Sequence, residues 1–213
     1  PYLEDTYATP PRPHSFGQAA APALQEARKT VARCLGAKAD EITFTSGGSE
    51  ADNQAILSAA AAGEKQGKRH MISTAFEHHA VLHTLQKLER QGWEITLLPV
   101  HEDGIVRVEE VQDAIRPDTA LVTIMYANNE IGTIQPIAEI GAICREKGVL
   151  FHTDAVQAAG HLHIDVAAQN IDLLSLSGHK FHGPKGAGVL YVRKGALRLQ
   201  NLIEGGGQER GKR

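Results

Sequence analysis

A chain of 213 residues, 42% hydrophobic and 22% charged, has ample material for a sizeable core. Its net charge of −3 offers no basic stripe to neutralise phosphates, so no nucleic-acid partner is expected. No apolar run reaches the roughly 18 residues of a membrane span, and the two cysteines suggest no disulfide framework, which suits a reducing cytoplasm.

In chain order, the prolines at 10, 11 and 13 make residues 9–14 extended. Pro22 belongs in the first turn of a helix over 24–35, where its missing N–H costs nothing. Further helices are expected over 49–62, 79–91, 108–115 and 137–147. β-rich runs alternate with them at 41–45, 70–73, 94–99, 120–125, 149–153, 172–177 and 188–192. Most of these strands are apolar on both sides, as in Leu121-Val122-Thr123-Ile124-Met125. That pattern predicts an α/β fold: a mostly parallel central sheet with helices on both faces. Cys34 and Cys144 fall on amphipathic segments and are expected to fill core. In such sheets ligands gather outside the carboxyl ends of the strands, and each polar cluster below follows a strand.

The first is Phe44-Thr45-Ser46-Gly47-Gly48-Ser49-Glu50-Ala51-Asp52-Asn53, a strand, a glycine turn and a helix start. Free N–H groups and the helix dipole make this an anion site, with the Ser46 and Ser49 hydroxyls assisting. It is equally a plain loop with Ser49 as helix cap and Asp52 in the first turn. Neither a Walker loop nor a dinucleotide fingerprint is present, so a bound phosphate would belong to a smaller cofactor. The second is Phe76-Glu77-His78-His79. One histidine here can stack on an aromatic cofactor, or His79 and His83 can share a metal across a helical turn. Without a His-Glu-x-x-His pattern no metal is expected.

Tyr126-Ala127-Asn128-Asn129 follows the strand at 120–125 and reads either as a turn or as donors for a substrate carboxylate or a ring oxygen. His152-Thr153-Asp154-Ala155-Val156-Gln157 ends another strand. An aspartate in so apolar a setting caps the next segment or needs a cationic partner, such as a protonated pyridine nitrogen. Finally, Ser177-Gly178-His179-Lys180-Phe181-His182-Gly183-Pro184-Lys185-Gly186 lies between two apolar runs. Alone it reads as a glycine-rich hairpin tip. With the other clusters it reads as a buried, partly desolvated lysine able to form an imine. A phosphate site, an acid for a ring nitrogen, an aromatic to stack and an imine-forming lysine together are what pyridoxal 5'-phosphate requires.

The blocks FTSGGSEADN (44–53), EHHAVL (77–82), NNEIG (128–132), HTDAVQ (152–157), SGHKFHGPKG (177–186) and GGGQERG (205–211) resemble those of class V aminotransferase-fold enzymes. More closely they resemble the cysteine desulfurase and selenocysteine lyase family. The resemblance implies the large domain of PLP fold type I over 1–213, truncated at both ends, with the small C-terminal domain absent. It implies that Lys180 forms the Schiff base and moves the substrate Cα proton. It gives Asp154 the pyridine nitrogen, Gln157 the phenolic oxygen and His78 the ring face. Gly48, Ser49, Ser177 and His179 would hold the phosphate, and Asn129 would face substrate and ring oxygen.

The implied activity is removal of sulfur from L-cysteine, giving alanine and an enzyme persulfide for a sulfur-acceptor protein, by a cytoplasmic homodimer. Selenocysteine as substrate, another β-elimination, or a non-catalytic scaffold of the same fold are the alternatives. The family's nucleophilic cysteine lies beyond the GGGQERG block, and neither Cys34 nor Cys144 stands at its position. The chain alone is therefore expected to be inactive.

Overall fold

The structure, a computed structural model, describes Glu4 and residues 15–213; the segment 9–14 lies outside the described residues. Among the described residues, seven strands form one mixed sheet: β1 (Ile42–Thr45), β2 (His70–Thr74), β3 (Glu94–Leu98), β4 (Thr119–Thr123), β5 (Leu150–Asp154), β6 (Leu173–Ser177) and β7 (Gly188–Val192). Their order is β1-β7-β6-β5-β4-β2-β3. The run from β6 to β3 is parallel, and β7 is antiparallel to both β6 and β1. The expected mostly parallel sheet is present.

Two helical layers cover it. Helices α1 (Ser15–Cys34), α4 (Val108–Ala114) and α5 (Ile137–Lys147) pack Ala32, Val111, Ile140 and Cys144 against Ile72, Val122, Phe151 and Leu174. On the other face, α2 (Gly48–Glu64) and α3 (His79–Glu89) pack Ala51, Ala55, Ile56 and Leu85 against Met71, Leu121, Leu173 and Leu190. Because strand side chains alternate, the residues facing α2 near the strand ends are Thr123, His152, Asp154, Ser175 and Ser177. The α2 layer is thus apolar at one end and polar at the other.

The helix predicted at 24–35 begins nine residues earlier, at Ser15, and carries Pro22 inside it. The alanine-rich run around Pro22 has strong helix propensity, and the proline lies exposed, where its lost bond is least costly. Cys34 is likewise corrected: it ends α1 on the exposed side, whereas Cys144 is buried as expected. Strand β3 departs from the two-sided apolar pattern, because it is the sheet edge and leaves Leu97 about half exposed.

Candidate functional site

Five strand ends open onto one cavity of about 250 Å³, lined by Gly48, Ser49, Asp52, His78, Met125, Asn129, Asp154, Val156, Gln157, Ser177, His179 and Lys180. All nine residues singled out in the sequence line it. Asp52, Met125 and Val156 are additional.

Each is set by its element. Gly48 opens α2, and its N–H is among the first four of a helix, which no intrahelical carbonyl can take. A Cβ at Gly48 would meet Val156 Cγ2 at 2.6 Å, so only glycine fits there without displacing that side chain. Ser177 ends β6 and pairs its hydroxyl with His179 Nδ1 at 2.8 Å. The lysine turn is closed by Gly178 N–H on Ala187 O and Gly183 N–H on Gly178 O, both 2.8 Å. His78 caps α3: its Nδ1 accepts the Ala80 N–H at 3.1 Å, which leaves the hydrogen of the neutral ring on Nε2. Asn128 is not a site donor but a loop builder. Its Oδ1 accepts from Glu130 and Ile131 and its Nδ2 donates to Phe76 O, which leaves Asn129 to line the cavity.

Two expectations need correction. Lys180 is exposed rather than buried, because the turn carrying it sits at the cavity rim with Phe181 also open to solvent. Ser46 is unavailable to an anion, since its N–H and hydroxyl both donate to Glu50 Oε2, at 2.8 and 2.5 Å.

The floor is acidic. Asp154 is 5% exposed and accepts the Val156 N–H at 2.9 Å. Burial raises its pKa, opposed by that bond and by the fields of His78 and Lys180. Asp52, 1% exposed, is raised well above the carboxylate range by burial and then by Asp154. Its Oδ1 has no hydrogen-bond partner. Glu77, buried behind Asp154, binds Thr74 Oγ1–H and Met125 N–H through Oε1, leaves Oε2 unpaired, and is pushed up to about 8 by burial. His152 joins Thr123 Oγ1 at 2.7 Å to Ser175 Oγ at 2.9 Å and is held down to about 3 by burial.

Such a floor lacks a cation. Asp154 has a single N–H donor and sits in a pocket that disfavours its charge, so a protonated ring nitrogen would complete it. Together with the open helix start at Gly48 and a lysine at the rim, this donor set fits a phosphorylated pyridine aldehyde. Asp52 and Glu77 were missed as floor groups. A first-turn acid reads as a dipole partner, and only its position among buried Ala51, Ala55 and Ile56 hinted that Asp52 faces inward.

The aminotransferase class-V family profile matches residues 1–212. The chain is 55% identical to the cysteine desulfurase IscS of Clostridium botulinum over its full length, which is 53% of that protein. Among solved structures it is similar to a NifS-like protein, with a TM-score of 0.94, 42% identity, and coverage of 99% of this chain and 57% of that one. It is also similar to SspA in complex with cysteine, with a TM-score of 0.93, 45% identity, and coverage of 99% and 61%. The chain spans about half the length of the curated relatives it matches. With the profile matching nearly every residue, the chain belongs to the aminotransferase class-V family.

Proposed function

We propose that this chain is the pyridoxal 5'-phosphate-binding large domain of a cysteine desulfurase. The observation that carries the reading is the gathering of Lys180, Asp154, Gln157, His78, Asn129, Ser177, His179, Gly48 and Ser49 around one cavity. When bound, the cofactor supplies an electrophilic carbonyl carbon and a ring able to accept an electron pair.

Gly48, Ser49, Ser177 and His179 hold the phosphate, with donors that need no reorganisation. Asp154 would face the ring nitrogen and favour its proton, Gln157 would donate to the phenolic oxygen, His78 would cover a ring face, and Asn129 would meet substrate and ring oxygen. Lys180 would supply the amine that anchors the cofactor carbonyl, and its amine would also be placed to hold or move the proton at the substrate Cα. The substrate is L-cysteine, and the whole protein works as a cytoplasmic homodimer that passes sulfur to an acceptor protein for iron–sulfur or thio-cofactor assembly. Neither Cys34 nor Cys144 lines the cavity, so neither is placed to take up sulfur there.

The test is direct. Protein loaded with pyridoxal 5'-phosphate and reduced with borohydride is expected to carry the adduct on the peptide containing Lys180. Lys180→Ala should carry none. An equal yield of adduct in that variant overturns the assignment.

A further inference from the structure

The turn that opens α2 is tied to the far end of the chain. Glu50 Oε2 takes both donors of Ser46. The other side of the same carboxylate is covered by Arg213, with Nε on Oε1 at 2.6 Å and Nη2 on Oε2 at 3.1 Å. Only 12% of the Glu50 side chain remains exposed, against 38% for Arg213. The segment carrying Arg213 is itself seated at three further points. Gln54 Nε2 donates to Lys212 O at 2.6 Å. Glu209 grips Arg28 through both oxygens at 2.6 and 2.9 Å and accepts the Phe44 N–H at 2.9 Å.

This knot matters because of what it borders. Gly48 and Ser49 line the cavity immediately before Glu50. The cavity is a ligand site on separate grounds, since the buried, unpartnered Asp52 Oδ1 belongs to a residue lining it. A bare carboxylate in the first turn of a helix draws on the same N–H field that a phosphate would use. It also repels that phosphate across a medium less screening than water. A guanidinium fork cancels such a charge and fixes its geometry at once. Glu50 is accordingly held below the ordinary carboxylate range by Ser46 and Arg213, despite partial burial.

We propose that Arg213 is a positioning residue for the cofactor phosphate: its fork on Glu50 cancels the carboxylate charge beside the cradle and locks Ser46, so that Gly48 and Ser49 present their donors to the cavity. The inference rests on the cofactor reading above and adds a residue whose side chain does not line the cavity.

The experiment compares pyridoxal 5'-phosphate with pyridoxal, which lacks the phosphate. Equilibrium binding is measured by absorbance for the parent protein, Arg213→Gln, Glu50→Gln, and the double variant. Arg213→Gln is expected to weaken pyridoxal 5'-phosphate by roughly tenfold, the scale of one charge-assisted hydrogen bond. Pyridoxal should change less than twofold. Removing both charges in the double variant should recover most of the loss. Equal weakening of both ligands, no weakening, or no recovery in the double variant each overturns the proposal. Should Arg213→Gln fail to fold by circular dichroism, Arg213→Lys keeps the charge without the fork, and the same selective loss, smaller in size, is required. If the parent protein binds neither ligand, it is the cofactor reading that falls.

Discussion

Asp52 Oδ1 stands 3.6 Å from His152 Nε2, with both side chains out of water. At that separation the two would be an ion pair only if the imidazole held a proton. Burial, its sole cause of shift, holds His152 down to about 3, and burial first and then Asp154 raise Asp52. With the imidazole uncharged, the contact is not an ion pair. The floor of the cavity carries less charge than its count of acids suggests.

Asp52→Asn should be tolerated, since burial works against a charge there and an amide keeps the shape of the side chain. We expect a stability change within about 1 kcal/mol at pH 7. Infrared spectra should lose a carboxylic-acid carbonyl band that the parent protein displays. Because Glu77 supplies such a band of its own, the difference between the two spectra decides: no band lost in Asp52→Asn would sink this account.

Glu77 gives the site a pH dependence with a definite sign. Its carboxyl titrates near 8 in the folded protein against 4.5 as the ordinary value, chiefly through burial. A group raised on folding contributes stability below its unfolded pKa and loses it as pH climbs through the folded one. His152 works in the opposite sense, lowered from 6.5 to about 3, so stability rises across that interval. Of these two, only the Glu77 effect remains above pH 6.5. Cofactor-free protein should lose about 2 kcal/mol from Glu77 between pH 6.5 and 8. In Glu77→Gln, urea unfolding should lose most of that decline; an undiminished decline would contradict the assignment.

How much of this was legible in the residues depends on distance along the chain. Lys180, Asp154 and Ser177 each follow an apolar run, so their place at strand ends could be read locally. The bounds 188–192 for β7 and 137–147 for α5 also hold as expected, because glycines and Pro136 punctuate them. What is decided by packing could not be read. Asp52 turns inward because α2 lies flat on the sheet with both its alanine face and its polar start buried. The exposure of Lys180 reflects what lies over the turn rather than the turn itself.

Gly188 is a further point of contact that sequence alone leaves silent. A Cβ there would come within 2.5 Å of Gly47 Cα, on backbone that cannot step aside. It pairs with Thr45 in the β1–β7 ladder, directly before the phosphate turn. Gly188→Ala is expected to cost about 1–3 kcal/mol and to weaken pyridoxal 5'-phosphate binding. Thermal unfolding and cofactor titration together check this, and a variant unchanged in both would refute it.

The Arg28–Glu209 pair is buried enough to be costly when halved. Arg28 is 2% exposed and donates to Ile42 O as well as to both Glu209 oxygens. Glu209→Ala strands that guanidinium and should cost about 3–5 kcal/mol. Adding Arg28→Met should return part of the loss, as followed by denaturant midpoint. A loss below 1 kcal/mol in the single variant would mean water reaches Arg28.

Among the described residues, strand β1 pairs with β7 alone, with Thr45 and Gly188 in register. Those two residues are separated by most of the chain, so the ladder that frames the phosphate turn closes one of the longest loops in the molecule. Long-range pairings of this kind form late and slowly. During synthesis, Thr45 cannot meet Gly188 until β7 has emerged. The turn proposed to cradle the phosphate is thus built on a pairing that chain topology makes slow.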